Sequence, residues 1–130
     1  MSQTVGIVLV SHSPGLACGL RDLLAQIGSD SVPVIAAGGT ADGGIGTSYD
    51  LVLEALDRAD HGAGVVLLPD LGSSVLTARA VLADHPRPGV VLVDAPFVEG
   101  AVAAAVTASV GADLHTVAGA AEEARDVRKF

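Results

Sequence analysis

Along this chain, apolar residues fall either in short solid runs or in stripes at helical spacing, and the two kinds alternate. Val5-Gly6-Ile7-Val8-Leu9-Val10 is unbroken and rich in β-branched side chains, the pattern of a strand covered on both faces of a parallel sheet. Ser11-His12-Ser13-Pro14 follows. Serine at an N-cap with proline at the first helical position marks a helix start, and Leu16, Leu20, Leu23, Leu24 and Ile27 then recur at helical spacing as far as Gly28. Residues 32–37 predict a second strand, ended by Gly38-Gly39 and a glycine-rich loop running to Gly46. Thr47 or Ser48 caps a helix carrying Leu51, Val52, Ala55 and Leu56, which His61-Gly62 ends. Residues 63–69 predict a third buried strand, Asp70-Leu71-Gly72-Ser73-Ser74 a second strand-to-helix turn, and residues 75–83 the helix after it, closed by Pro86 and Pro88. A fourth strand over 90–93 leads through Asp94-Ala95-Pro96 into an alanine- and valine-rich helix over 97–110. Beyond Gly111 the pattern weakens, and residues 114–130 read as a short strand plus an amphipathic tail helix, or as an arm that docks on a second subunit.

Four strand-helix alternations predict a single α/β domain over residues 1–130, built on an open, doubly wound, mostly parallel sheet of at least four strands with helices on both faces. Small Ala, Gly and Val side chains let the helices sit close to the sheet, which gives a shallow but dense core. No internal repeat is visible.

Composition removes several functions. The one lysine, Lys129, is the penultimate residue, whereas a Walker-type phosphate loop needs a lysine directly after its glycines. Seven basic against 15 acidic side chains, a net charge of −8, and no Trp, one Tyr and two Phe leave neither a basic face nor stacking aromatics for nucleic acid. The single cysteine, Cys18, cannot form an internal disulfide and no charged, apolar leader pattern opens the chain, so a cytoplasmic protein is expected. The longest apolar runs fall far short of the ~20 residues of a membrane helix. Gly43-Gly44-Ile45-Gly46 does not complete a dinucleotide fingerprint, so no cofactor is expected.

In open parallel sheets, ligands bind beyond the carboxyl ends of the strands, so the residues just after each predicted strand are the candidates. His12 lies between Ser11 and Ser13 at the mouth of the first strand, beside a helix start whose N–H groups and positive dipole end favour an anion. Pro14 donates no N–H, so the donors would come from Gly15, Leu16 and the serine hydroxyls. A neutral imidazole is a competent nucleophile near physiological pH. Asp70, ending a strand expected beside the first, can hold the other ring nitrogen and fix the tautomer, as in the Ser-His-Asp arrangement. Gly72, Ser73 and Ser74 open a second helix able to offer N–H groups to a phosphate. Against this stand the ordinary roles: a histidine at a strand end is often a surface or capping residue, and Asp70 alone is a good N-cap. His61 with Asp57 and Asp60 suits a C-terminal cationic cap better than a metal site. His85 and His115 read as solvated, and Cys18 as a small buried hydrophobe.

Five segments, Ile7-Val8-Leu9-Val10-Ser11-His12-Ser13, Ala36-Ala37-Gly38-Gly39, Ile45-Gly46-Thr47, Asp70-Leu71-Gly72-Ser73 and Ala95-Pro96-Phe97-Val98-Glu99-Gly100-Ala101, together resemble the phosphotransfer subunit of phosphoenolpyruvate-dependent dihydroxyacetone kinase. That subunit is related to the mannose-type enzyme IIA of the bacterial sugar phosphotransferase system. The match runs in order over about residues 5–111. The resemblance implies a homodimer in which His12 is phosphorylated transiently on the nitrogen remote from the backbone, with Asp70 as the carboxylate beside it. The reading of the residues themselves sets Ser11, Ser13, Gly72 and Ser73 around the phosphoryl group. The implied donor is a histidine phosphocarrier charged by enzyme I, and the implied acceptor is ADP on the nucleotide-binding kinase subunit, which serves dihydroxyacetone on a third subunit. Some family members carry fused phosphocarrier and enzyme I-like domains. Metal would belong with the nucleotide of the partner, and none is expected here.

Two other readings compete. An enzyme IIA of a mannose-type sugar permease would use the same histidine chemistry. A receiver-like domain phosphorylated on Asp70 would require acidic residues after the first strand and a late lysine, where this chain has Ser11-His12-Ser13 and no such lysine.

Overall fold

The computed structural model describes residues 3–28 and 30–130. Its order is β1 (Gly6–Ser11), α1 (Pro14–Ile27), β2 (Val34–Gly38), α2 (Tyr49–Ala59), β3 (Val65–Pro69), α3 (Gly72–Asp84), β4 (Val90–Leu92), α4 (Phe97–Ser109) and α5 (Leu114–Glu123), followed by a 3₁₀ turn over Ala124–Asp126. The four strands are all parallel in the order β2-β1-β3-β4. The α/β class predicted from the apolar runs is the one observed.

The side-chain alternation of β1 divides the interior in two. Ile7 and Leu9 point to the face covered by α1, α4 and α5, where they meet Leu20, Leu24, Ala101, Ala105 and Val117. Val8 and Val10 point to the face covered by α2 and α3, against Val52, Leu56, Ala78 and Val81. On β3, Val66 and Leu68 join the first layer and Val65 and Leu67 the second. All eight of these strand residues are fully buried, which is why neither run shows polar alternation. On α4, Ala101, Ala104, Ala105 and Ala108 form a buried stripe of small side chains. A Cβ added at Gly100 would stand 2.9 Å from the Ala95 Cβ, so the turn that leads from β4 into α4 needs glycine there.

Several boundaries differ from the sequence reading. β2 starts at Val34 because Pro33 has no N–H to donate, although its carbonyl still accepts from the Ile7 N–H at 2.8 Å. Ser48 caps α2, its Oγ accepting from the Leu51 N–H. That helix ends at Ala59 with Asp60 as its C-cap, so Arg58, not His61, is the basic residue of its last turn. α3 begins three residues before the position expected for it. The tail contains a helix and no strand among the described residues. Asp113 caps α5 through the Thr116 N–H, and Val117, Ala118 and Ala121 bury against the sheet and α4. Cys18 is half-buried. No helix among the described residues is long and apolar enough to cross a membrane.

Candidate active site

The order β2-β1-β3 makes the gap between β1 and β3 the point where the connections diverge to opposite sides, the usual ligand crevice of such sheets. Register puts the critical residues there. Val10 pairs with Pro69, and the Asp70 N–H continues the ladder to the Val10 carbonyl at 2.9 Å. The next residues on the two strands, Ser11-His12 and Asp70, are thereby delivered side by side.

The Asp70 carboxylate is the centre of the arrangement. Its Oδ1 accepts from His12 Nδ1 at 2.9 Å, from the Leu71 N–H at 2.7 Å and from the Ser74 hydroxyl at 2.9 Å. Its Oδ2 accepts from the Ser11 hydroxyl at 2.9 Å and from the His12 backbone N–H at 3.1 Å. Burial pushes this carboxyl up, but the backbone N–H and ring of His12 and the hydroxyls of Ser11 and Ser74 outweigh it and hold the pKa at about 2. An ionised Asp70 selects the tautomer of a neutral His12 ring that carries its proton on Nδ1. Nε2 is then left with the lone pair, facing outward toward the Ser73 hydroxyl, with which it is in hydrogen-bonding contact. The His12 side chain is 20% exposed and that of Asp70 7%, so the ring is reachable while the carboxylate is nearly covered.

Two helix starts flank Nε2. The first-turn N–H groups of Gly72 and Ser73 on α3 have no intrahelical partner, and neither does that of Gly15 on α1. The Leu16 N–H, expected among the phosphate donors, is instead taken by the Ser13 Oγ at 3.1 Å, which caps α1. Ser11 also differs from expectation. It is fully buried, its hydroxyl donates to Asp70, and its Oγ accepts from the Ser13 N–H at 3.1 Å, so it forms the floor of the site rather than its rim. Ser13, Gly72 and Ser73 lie at the rim. Ser74, whose hydroxyl is fully buried beneath the rim, was read from sequence only as part of a helix start. The signal for its second role is its spacing, four residues after Asp70 on a helix starting at Gly72.

The neighbouring loop completes the wall. Gly38 passes so close under α1 that a Cβ there would lie 2.7 Å from the Ser13 carbonyl oxygen and 2.8 Å from Ala17 Cβ. Gly39, at φ 77°, turns the chain away against the Pro14 ring, a conformation that favours glycine. Gly39 N–H then donates to the Ser11 carbonyl and Gly46 N–H to the His12 carbonyl, at 3.0 and 2.9 Å. On the other side, a cleft of about 410 Å³ opens between the ends of β3 and β4, lined by Asp70, Gly72, Arg79 and Asp94 among others. Among the described residues no cluster of three or more His, Cys, Asp or Glu side chains is placed to hold a metal ion.

Residues 6–118 match the family model described as PTS system fructose IIA component, EIIA-man. The chain belongs to this EIIA-man family. A 34% identical relative from Listeria innocua, matched over 87% of this chain and 93% of its own length, is the phosphoryl donor subunit DhaM of PEP-dependent dihydroxyacetone kinase 2. A second Listeria innocua protein, the corresponding subunit of dihydroxyacetone kinase 1, is 38% identical over 81% of this chain and 82% of its own. The DhaM subunit of Escherichia coli is 39% identical over 87% of this chain, which spans only 25% of that longer protein. Among solved structures, the unknown-function protein EF1359 superimposes with a TM-score of 0.85 at 32% identity, covering 93% of this EIIA-man chain and 95% of that one.

Proposed function

We propose that this EIIA-man domain is the phosphoryl-relay subunit of a phosphoenolpyruvate-dependent dihydroxyacetone kinase. His12 takes the phosphoryl group from a histidine phosphocarrier and hands it to ADP held on the nucleotide-binding kinase subunit. One observation carries the reading: Nδ1 of His12 is engaged by a buried carboxylate while Nε2 stands at the rim beside the start of α3. Family membership and the DhaM relatives support the same assignment.

In the first transfer, the phosphorus–nitrogen bond of the donor's phosphoimidazole breaks as a bond forms between phosphorus and Nε2. Nδ1 keeps its proton throughout. The His12 ring gains the positive charge that the donor ring loses, and Asp70 lies where it offsets that charge, as the carboxylate does beside a histidine base. Phosphoryl transfer passes through a loose transition state with charge on the three peripheral oxygens, so positioning and electrostatics supply most of the catalysis. The Gly72 and Ser73 N–H groups, the Ser73 hydroxyl and the Ser13 hydroxyl are the donors at hand for those oxygens. The second transfer runs the same exchange outward, with the β-phosphate oxygen of ADP as the acceptor. The reading includes a homodimer in the cytoplasm, an external phosphocarrier as donor and the dihydroxyacetone-binding subunit downstream. A sugar-permease role is the second reading, favoured by the fructose IIA description of the family.

The test is labelling from [³²P]phosphoenolpyruvate with enzyme I and the phosphocarrier. An alkali-stable, acid-labile label on the His12 peptide is expected, and His12→Ala should take no label while keeping its fold by circular dichroism. Full labelling of that variant, or an alkali-labile acyl phosphate on Asp70, overturns the assignment. Chasing the label with the kinase subunits and ADP, in parallel with a sugar-specific permease component, separates the two acceptors. Sedimentation of the purified protein reads its oligomeric state.

A further inference from the structure

Ser74 has one hydroxyl proton and two acceptors within reach, Asp70 Oδ1 at 2.9 Å and the Leu71 carbonyl at 2.6 Å, while its own oxygen accepts from the Leu71 N–H at 3.2 Å. It cannot donate to both. Asp70 Oδ1 is already approached by two donors fixed in direction, His12 Nδ1–H and the Leu71 N–H, and one carboxylate oxygen offers about two lone-pair sites. The Ser74 proton is therefore the mobile one of three. We propose that Ser74 is a positioning residue whose hydroxyl turns between Asp70 and the Leu71 carbonyl, setting how much negative charge Asp70 presents to the His12 ring.

The consequence for transfer rests on the relay reading above. With the ring uncharged, Asp70 Oδ1 is rich in charge and holds the Ser74 proton. As phosphorus arrives on Nε2 and the ring becomes positive, Nδ1–H draws on the same oxygen more strongly, and the Ser74 proton turns to the Leu71 carbonyl without any heavy atom moving. Ser74 thus favours the unphosphorylated state and helps the group leave again, as a relay requires. Complete burial of Ser74 keeps water from substituting for either acceptor. The other charged groups facing Asp70 are His12 from β1, Arg79 on α3 and Asp94 after β4, the last two sharing its cleft, and all are unchanged by substitution at Ser74.

Two measurements test this, one independent of any phosphoryl chemistry. Carbon-13 NMR of the Asp70 carboxyl in the full chain should show its titration midpoint move upward in Ser74→Ala and return to the wild-type position in Ser74→Thr, which restores a hydroxyl. Ser74→Cys, a weak donor of similar size, serves if the alanine variant fails to fold and should fall between. An unmoved midpoint in the folded alanine or cysteine variant overturns the proposal. In equilibrium labelling against the phosphocarrier, Ser74→Ala should raise the phosphorylated-to-free ratio by about two- to tenfold, the difference between a hydrogen bond to a carboxylate and one to a carbonyl. A purely structural role would lower labelling or leave it alone, and either result refutes the transfer role. If wild-type protein takes no label, the relay reading fails, and the titration still decides whether Ser74 tunes Asp70.

Discussion

Replacing Asp70 by asparagine separates the charge of this carboxylate from its shape. Five donors converge on it, and an amide can serve only part of that set. With the amide oxygen in the Oδ1 position, His12 Nδ1–H, the Leu71 N–H and Ser74 keep their acceptor. The NH₂ then faces the Ser11 hydroxyl, which can rotate to accept, and the His12 backbone N–H, which cannot. The opposite orientation sets the NH₂ against the Leu71 N–H and forces His12 to accept at Nδ1, moving its proton onto Nε2 and removing the nucleophile. The first orientation is therefore preferred, at the cost of one buried unsatisfied donor, about 1–3 kcal/mol. For a chain of this length that is a fall in Tm of roughly 3–6 °C per kcal/mol. The catalytic cost is separate. A hydrogen bond to an ionised group is worth about 1.5–3 kcal/mol against about 1 for a neutral one, and the difference is felt as the ring becomes charged. A loss of about 0.5–2 kcal/mol in the transition state slows single-turnover transfer from the phosphocarrier roughly 2- to 30-fold. Rapid-quench labelling, stopped in alkali to protect phosphohistidine, reads that rate, and thermal unfolding of the same sample reads the fold. An asparagine variant that melts a few degrees lower yet transfers within twofold of wild type would refute the claim that the charge of Asp70, and not merely its shape, drives the reaction.

Other outcomes follow from the same contacts. The Asp70 carboxyl is held at about 2, below its ordinary value of 3.8, so it binds fewer protons folded than unfolded. Its stabilisation is complete above about pH 4 and is lost as the pH falls through about 2, a loss of about 2 kcal/mol by linkage. Urea unfolding at stepped pH should show that decline in wild type and a flatter profile in Asp70→Asn. Ser13→Ala removes the α1 cap and should cost about 1 kcal/mol in chemical denaturation.

Much of this site was readable before any coordinates, for a definite reason. The runs at 5–10 and 63–69 are apolar without alternation because β1 and β3 are covered on both sides, and turn residues follow each at once. That placed His12 and Asp70 on the same edge, and a parallel sheet with its divergence between β1 and β3 placed them together. What escaped depended on which way a polar side chain faces. Ser11 and Ser13 look alike in sequence, yet strand alternation sends one into the floor and the helix start leaves the other at the rim. Ser74 joins Asp70 only because α3 starts at Gly72, one turn earlier than its apolar residues suggest. The tail was ambiguous because Ala118, Gly119, Ala120 and Ala121 carry little periodic contrast. The Asp113–Thr116 cap was the one local mark of a helix.

His12 and Asp70 stand one step beyond the last rungs of the two innermost strands, joined to them by the Asp70 N–H on the Val10 carbonyl. The pair is therefore finished when the sheet is finished. Its geometry is set by the ends of β1 and β3, where His12 Nδ1 meets Asp70 Oδ1 at 2.9 Å. In the proposed relay, traffic through such a site would be governed by how often and how well two proteins collide, and the chain would behave less like a machine with a cycle than like a fixed electrical contact touched first on one side and then on the other.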